Sequence, residues 1–247
     1  MAGISRRQLI RRGAGVAGSL LFADILGIDR VLRARATGYQ QPPYAYRSQF
    51  DGSYCCSINC GMAAGAMMRS TMSGQSKNPT GASVRMWWNH YHYGSNCVNG
   101  SYVQGCSTSD TCAGLGYHCP DNSTPVPNVY YALLNPEDGG GPYNVGYYNL
   151  SWTNFVNDMK PSGGYSGVVS GIESQVPASG KCTNFAGSHS VYVLGCDSTG
   201  SSFTVYDPDN EILPCSMPKT WSAATMQVFT AAYAGAGWVN LVLGRAN

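Results

Sequence analysis

Cys60 is the residue of this sequence best placed to act as a nucleophile. It stands at the predicted start of a helix that begins at Asn59 or Cys60 and runs through Met68 toward Met72. Unpaired backbone N–H groups and the helix dipole favour the thiolate at such a position, and the thiolate is the reactive form of cysteine. A histidine must lie beside it to accept the thiol proton.

His189 is the best candidate for this base. The sequence has four histidines: His90, His92, His118 and His189. Only His189 begins an alternating strand, and its neighbours Gly187, Ser188 and Ser190 are small, which leaves room for a substrate.

Asp207 is predicted as the third residue from hairpin geometry. A turn sequence follows the strand of His189, and pairing Cys196 with Ser201 would place Asp207 opposite Ser190. A slip of one residue would place it opposite His189 itself. In either register the carboxylate reaches the same end of the hairpin as the imidazole, where it can orient the ring and stabilise its charge. Weaker candidates for this role are Asp197, Asp209 and Asn210.

Gln49 is the candidate for an oxyanion hole. Its side-chain amide could donate a hydrogen bond to a developing oxyanion together with the backbone N–H of Cys60. Cys60 lies eleven positions after Gln49, and the segment between them contains the vicinal pair Cys55 and Cys56.

The motifs around these residues resemble one known family. In chain order they are Gln49-Phe50, Asn59-Cys60-Gly61-Met62-Ala63-Ala64, residues 105–110, a helix over 151–160, residues 187–195 and Tyr206-Asp207-Pro208. Their order and spacing are similar to those of the papain-like cysteine peptidases of the bacteriocin-processing, double-glycine leader peptidase-like type. Two departures are Met62, where the family usually has proline, and the long gap between Gln49 and Cys60.

The resemblance implies a fold and a set of roles. The implied fold is α+β and papain-like, with a helical first half, whose central helix carries the nucleophile, packed on an antiparallel sheet in the second half. The implied roles are Cys60 as nucleophile, His189 as base, Asp207 as the residue that orients it and Gln49 in the oxyanion hole. No metal or organic cofactor is expected.

The local patterns predict the elements that must position these residues. Besides the helix of Cys60, helices are predicted from Thr80 or Ser83 through Trp88, from residues 107–110 to Leu115, over 151–160 and near 221–233. Strands are predicted over residues 166–172, 188–196, 203–206 and 238–243. Two glycines inside the helix of Cys60 indicate close approach of neighbouring backbones around a buried central helix.

Residues 1–36 are predicted to be a twin-arginine-type export signal. Arg6-Arg7 precedes a moderately apolar stretch, and Ala34-Arg35-Ala36 follows as a small-x-small cleavage site. We therefore expect a bacterial protein that is secreted or otherwise extracytoplasmic, with residues 37–247 forming one domain. The alternative is an ordinary basic amphipathic helix.

Composition and charge exclude several classes of protein. With 43% hydrophobic and 11% charged residues the chain is neither disordered nor a polyelectrolyte. Without the leader, eight basic and eleven acidic residues remain, and a formal charge of −3 with no basic run makes nucleic acid an unlikely partner. No run after residue 30 approaches the ~18 apolar residues of a membrane span, so we expect no membrane insertion of the mature chain, and we expect a monomer.

All ten cysteines follow the leader, so disulfides are their default state in an exported protein. No C-x-x-C pair is present, which argues against a structural zinc site. If Cys60 is catalytic, nine cysteines remain, and at least one more must be free or paired to another chain.

The leading hypothesis is a secreted cysteine peptidase that hydrolyses peptide or peptide-like amide bonds. Its substrate would be a secreted leader peptide or a cell-wall crosslink, and transfer to an amine would use the same residues. The alternative is an inactive, disulfide-stapled surface or cell-wall binding module in which Cys60 is bridged. A redox exchange protein is a distant third, because Cys55-Cys56 lacks the C-x-x-C spacing.

Overall fold

The computed structural model of the chain describes residues 41–50, 59–85, 87, 126–134, 143–183, 185–209 and 215–246. The predicted leader, the predicted helix that starts at 107–110 and Trp88 lie outside these residues. So do six cysteines: Cys55, Cys56, Cys97, Cys106, Cys112 and Cys119. Extension of one domain over all of 37–247 stays a prediction.

The described residues form an α+β structure around one six-stranded sheet whose neighbouring strands are all antiparallel. The strands are β1 Tyr143–Ser151, β2 Ser166–Ile172, β3 Ser188–Cys196, β4 Ser202–Tyr206, β5 Lys219–Ser222 and β6 Trp238–Ala246. Their order across the sheet is β1-β6-β2-β3-β4-β5. The helices are α1 Cys60–Met72, α2 Val126–Leu133, α3 Trp152–Met159 and α4 Ala223–Ala234, with single 3-10 turns at Glu173–Gln175 and Ala178–Gly180. Residues 81–85 and 87 are also helical.

Each face of the sheet packs against its own hydrophobic core. Successive side chains of a strand point to opposite faces, so Tyr192 of β3 joins the methionines of α1 while Val191 and Val193 join Phe155 of α3 and Phe229 of α4. Burying each of these large side chains contributes about 1.5–3 kcal/mol. The sheet therefore holds α1 on one side and α3 with α4 on the other.

The helix α1 is buried along its whole length, as its composition predicts. A Cβ atom added at Gly65 would lie 2.9 Å from Cγ1 of Val129 in α2, so the missing side chain is what lets the two helices approach. The space beside Gly65 is thus taken by a neighbouring side chain, whereas the sequence predicts close approach of a neighbouring backbone.

The predicted boundaries of α3 are confirmed, and those of α4 need one correction. Ser151 caps α3 by accepting a hydrogen bond from the N–H of Asn154. Trp221 lies in β5 rather than in the last helix, because Ser222 is the residue that accepts from the N–H of Thr225 and starts α4. Neither β1 nor α2 was predicted from the sequence.

The predicted pairing of Cys196 with Ser201 is wrong, and Cys196 pairs with Phe203. The Asp197 carboxylate accepts hydrogen bonds from the backbone N–H groups of Thr199 and Ser201. The centre of the turn therefore lies one residue later in the chain than predicted. Between Val193 and Gly195 the register then shifts by one residue, as in a β-bulge.

Among the described residues, no helix combines the length and the apolar character that crossing a bilayer requires.

Candidate functional site

Cys60 is the first residue of α1 and carries a free thiol that is 5% exposed. The residue before it, Asn59, is fully buried and accepts two hydrogen bonds from the Arg85 guanidinium, at 3.2 and 3.1 Å. The carbonyl of Asn59 also accepts the N–H of Ala63 at 3.0 Å, which begins the helical ladder. The start of the helix is thus held in place by a buried side chain that lies immediately next to the cysteine.

The Cys60 thiol is hydrogen-bonded to the side chain of His189. His189 is the second residue of β3 and is 2% exposed. Burial raises the pKa of the Cys60 thiol, but the hydrogen bond and charge of His189, with the backbone N–H groups of Ser190 and Gly61, outweigh burial and lower that pKa below 9.0. The sulfur therefore lies where negative charge is stabilised.

Asp207 holds the other side of the imidazole, with His189 Nε2 and Asp207 Oδ1 2.7 Å apart and both side chains buried. The ring nitrogen left for Cys60 is therefore Nδ1. Burial lowers the pKa of His189, whereas the charge and hydrogen bond of Asp207, together with Cys60, raise it well above 6.5. Opposite shifts on the thiol and the ring favour a thiolate–imidazolium pair.

Asp207 is itself fixed by backbone contacts. Its Oδ1 also accepts the N–H of Asp209 at 2.9 Å, and its carbonyl accepts the hydroxyl of Tyr46 at 2.7 Å. Asp209 thus contributes an N–H to the carboxylate of Asp207, while Asp197 lies at the exposed tip of the hairpin. Asn210, the third of the weaker candidates, lies outside the described residues.

His189 and Asp207 lie next to each other because the register between β3 and β4 is shifted. Tyr192 pairs with Tyr206, and one step further this register sets Asp207 opposite Val191. Asp207 and His189 are then diagonal neighbours on the same face of the hairpin. Both predicted positions of Asp207, opposite Ser190 or opposite His189, are wrong, although the contact that they were meant to explain is present.

Gln49 lies beside the segment that carries Asp207. Its backbone N–H donates to the carbonyl of Pro208 at 2.9 Å, and its side chain is buried. Its role as an oxyanion donor stays a prediction.

Glu173 is a member of this cluster that sequence reasoning missed. It follows the last residue of β2, and its N–H donates to the carbonyl of Gly187 at 3.0 Å, which places it on the same face as His189. The side chain is fully buried. Burial raises the pKa of its carboxyl group to about 8, an effect that the nearby His189 charge opposes and that of Asp207 reinforces. The feature that could have pointed to Glu173 is a charged residue directly after the uncharged strand β2. Its neighbour His189 lies on β3, beyond a long connection, so the sequence does not show that the two residues meet.

Glu173, His189 and Asp207 offer three atoms within 4.8 Å of one another, and all three residues are buried. One histidine with two carboxylates is a set that a divalent cation can use. A cation bound at Nε2 would have to replace the hydrogen bond to Asp207, while the opposite nitrogen serves Cys60. The donor set therefore fits the proton chemistry of a cysteine–histidine pair better.

The Phe185 ring lies beside the His189 imidazole. Its ring meets the imidazole edge-on, with centroids 6.3 Å apart, and it is 43% exposed. A Cβ atom at Gly187 would lie 2.6 Å from the Phe185 ring, so the small residue that was expected to leave room for a substrate makes room for this aromatic ring.

One disulfide joins the two connections that flank the site. Cys182, which precedes β3, is bonded to Cys215, which precedes β5. Among the cysteines that the structure describes, Cys60 and Cys196 are free and buried. A bridged Cys60, on which the binding-module alternative depends, is not what the structure has.

Comparison of the chain with known protein families, with curated proteins and with solved structures finds no match.

Proposed function

We propose that this protein is an exported cysteine hydrolase that cleaves peptide or peptide-like amide bonds. The observation that carries the proposal is the free Cys60 thiol at the start of a buried helix, hydrogen-bonded to a histidine whose opposite nitrogen is held by Asp207. A nucleophile, a base and a residue that orients the base are the parts that nucleophilic acyl transfer needs. The Cys182–Cys215 disulfide suits an oxidising compartment, in keeping with the predicted export signal.

The proposed reaction proceeds in two halves. His189 removes the proton of Cys60, the thiolate attacks the amide carbonyl carbon, and the Cys60 N–H with Gln49 stabilises the oxyanion. The tetrahedral intermediate collapses as His189 protonates the leaving amine, which leaves a thioester on Cys60. Water, deprotonated by His189, then attacks this thioester and releases the acid, while the proton returns to the thiol.

The chain contains its own control for the reactivity of Cys60. Cys196 is also free and buried, but burial, with a smaller effect of the Asp197 charge, raises its pKa to about 11. At pH 6 its thiolate fraction is then on the order of 10⁻⁵. The two thiols differ in electrostatic environment more than in exposure, since Cys60 is 5% and Cys196 8% exposed.

The test is brief iodoacetamide labelling of the non-reduced mature chain at pH 6, with the labelled sites mapped by mass spectrometry. We expect label on Cys60 and none on Cys196, loss of the Cys60 reactivity in His189→Ala, and a peptide-library activity that disappears in Cys60→Ser and persists in Cys196→Ser. An unlabelled Cys60, or equal labelling of both thiols, would contradict the proposal.

A further inference from the structure

The carboxyl group of Glu173 is buried beside the proposed triad with no role in the reaction. Its residue is fully buried, and neither carboxylate oxygen has a hydrogen-bond partner among the described residues. A buried carboxylate without partners is strongly unfavourable, because desolvation penalises the charged form. The group must be neutral or find a partner close by.

Asp207 offers that partner. Its Oδ1 accepts from His189 and from the Asp209 N–H, whereas Oδ2 is buried without a hydrogen-bond partner among the described residues. A carboxylate oxygen accepts but cannot donate, so Oδ2 needs a donor. One carboxylate oxygen of Glu173, one of Asp207 and a ring nitrogen of His189 lie within 4.8 Å of one another, so the two carboxyl groups are close neighbours.

We infer that Glu173 is a positioning residue of the site: in its protonated form it donates a hydrogen bond to Asp207 Oδ2 and thereby holds Asp207 against His189. One proton on Glu173 then removes the buried charge of this carboxyl group and gives Asp207 Oδ2 a hydrogen-bond donor. No covalent bond forms or breaks. The protonation of Glu173 would make the activity of the site depend on pH, a consequence that rests on the proposed function.

The charges around Glu173 agree with this assignment. The groups that face it are His189 of β3, Asp207 and Asp209 after β4, and Lys181 after the second 3-10 turn, while Cys60 lies across the imidazole. The helix α4, which packs against the turn of Glu173, contains no acidic or basic residue. Burial, opposed by His189 and reinforced by Asp207, raises the pKa of Glu173 to about 8, so the carboxyl is largely neutral at pH 7.

The consequence is an alkaline limit to activity. When Glu173 loses its proton, Asp207 loses a donor and faces a second negative charge, so its hold on the imidazole weakens. We expect kcat/KM to fall as pH rises through about 8 in the wild type. In Glu173→Gln the amide N–H donates at every pH, so the fall should move upward by about one pH unit or more. Glu173→Ala has no donor and should lose about 10-fold in kcat below pH 8, a size typical of residues that orient a catalytic group, and the difference from the wild type should shrink above pH 8.

A direct titration tests the inference without any assay of activity. The sequence contains three glutamates, Glu137, Glu173 and Glu211, so a chain labelled with ¹³C at the glutamate carboxyl gives three signals. The signal absent from Glu173→Gln belongs to Glu173. We expect its midpoint near pH 8, a lower midpoint in Asp207→Asn, and no change in the matched control Asp158→Asn, a part-buried carboxyl on α3 beside Arg245.

The outcomes separate this inference from the proposed function. A Glu173 midpoint near its ordinary value of 4.5, or a high midpoint that Asp207→Asn leaves unchanged, overturns the sharing of a proton. A high midpoint that depends on Asp207, in a chain whose Cys60 is unreactive toward iodoacetamide, upholds the inference and overturns the hydrolase. An alkaline limb of kcat/KM that is the same in Glu173→Gln and the wild type overturns the kinetic role.

Discussion

Replacing Glu173 with glutamine should stabilise the folded chain at neutral pH. The carboxyl group has a pKa of about 8 when folded and an ordinary value of 4.5 when unfolded. The folded state therefore keeps a proton that the unfolded state has lost, so the stability that Glu173 contributes is complete below pH 4.5 and is lost as pH rises to about 8. Because glutamine does not titrate, the stability of Glu173→Gln does not decrease for this reason between pH 4.5 and 8.

The size of the effect follows from the two pKa values. Each pH unit between them changes the free energy of unfolding by about 1.4 kcal/mol, so the loss at pH 7 is about 3 kcal/mol. We expect Glu173→Gln and the wild type to differ little at pH 4.5 and the variant to be more stable by up to about 3 kcal/mol at pH 7.

Urea unfolding of both chains without reductant, at several pH values from 4.5 to 8.5, measures this difference. Asp158→Asn, measured in the same way, controls for loss of a carboxylate away from the site. A difference between Glu173→Gln and the wild type that stays constant across this range would refute the reasoning, because a buried carboxyl with a raised pKa must produce a slope.

Three further predictions concern the structure around the site. Asn59→Ala removes the acceptor of two hydrogen bonds from buried Arg85 and should lower the free energy of unfolding by about 1–3 kcal/mol. Iodoacetamide should also label the Cys60 thiol more slowly in this variant. Unchanged urea unfolding and unchanged labelling would contradict this prediction. Replacing both Cys182 and Cys215 with alanine opens a bridge that spans 33 residues and should cost about 3–4 kcal/mol in urea unfolding without reductant, and an unchanged midpoint would contradict this. Gly65→Leu overfills the contact between α1 and α2 and should cost about 1–3 kcal/mol in thermal unfolding, and an unchanged melting temperature would show that this contact is loose.

The parts of the site that depend on local sequence could be predicted from the sequence. A run of small and flexible residues behind Cys60 specifies a buried helix, and its first position is read from where that run begins. His189, Val191 and Val193, each two positions apart, specify the strand of His189. Both elements lie where the patterns predict them, and the structure brings these two side chains and Asp207 together.

The parts that depend on register could not be predicted in this way. A period of two fixes which residues of a strand share a face, but it does not fix which residue of the next strand lies opposite. Here the Asp197 side chain moves the turn, and an irregularity near Leu194 then changes the register again. Glu173 was missed for the same reason, since β2 and β3 are joined by a long connection that carries no register signal.

The irregularity near Leu194 decides on which face of the sheet the carboxylate of Asp207 lies. At the turn, Cys196 pairs with Phe203, and this register, if continued without a break, would set Asp207 opposite Tyr192 and on the face away from His189. The extra residue in β3 changes the pairing to Tyr192 with Tyr206, so Asp207 comes to the face of His189. On the other neighbouring strand, the end of β2 delivers Glu173 to that same face. The His189 imidazole thus lies on β3, between a carboxyl group that follows β4 and one that follows β2. Asp207 bonds the imidazole directly, and the proposed role of Glu173 is to control Asp207 through its own protonation.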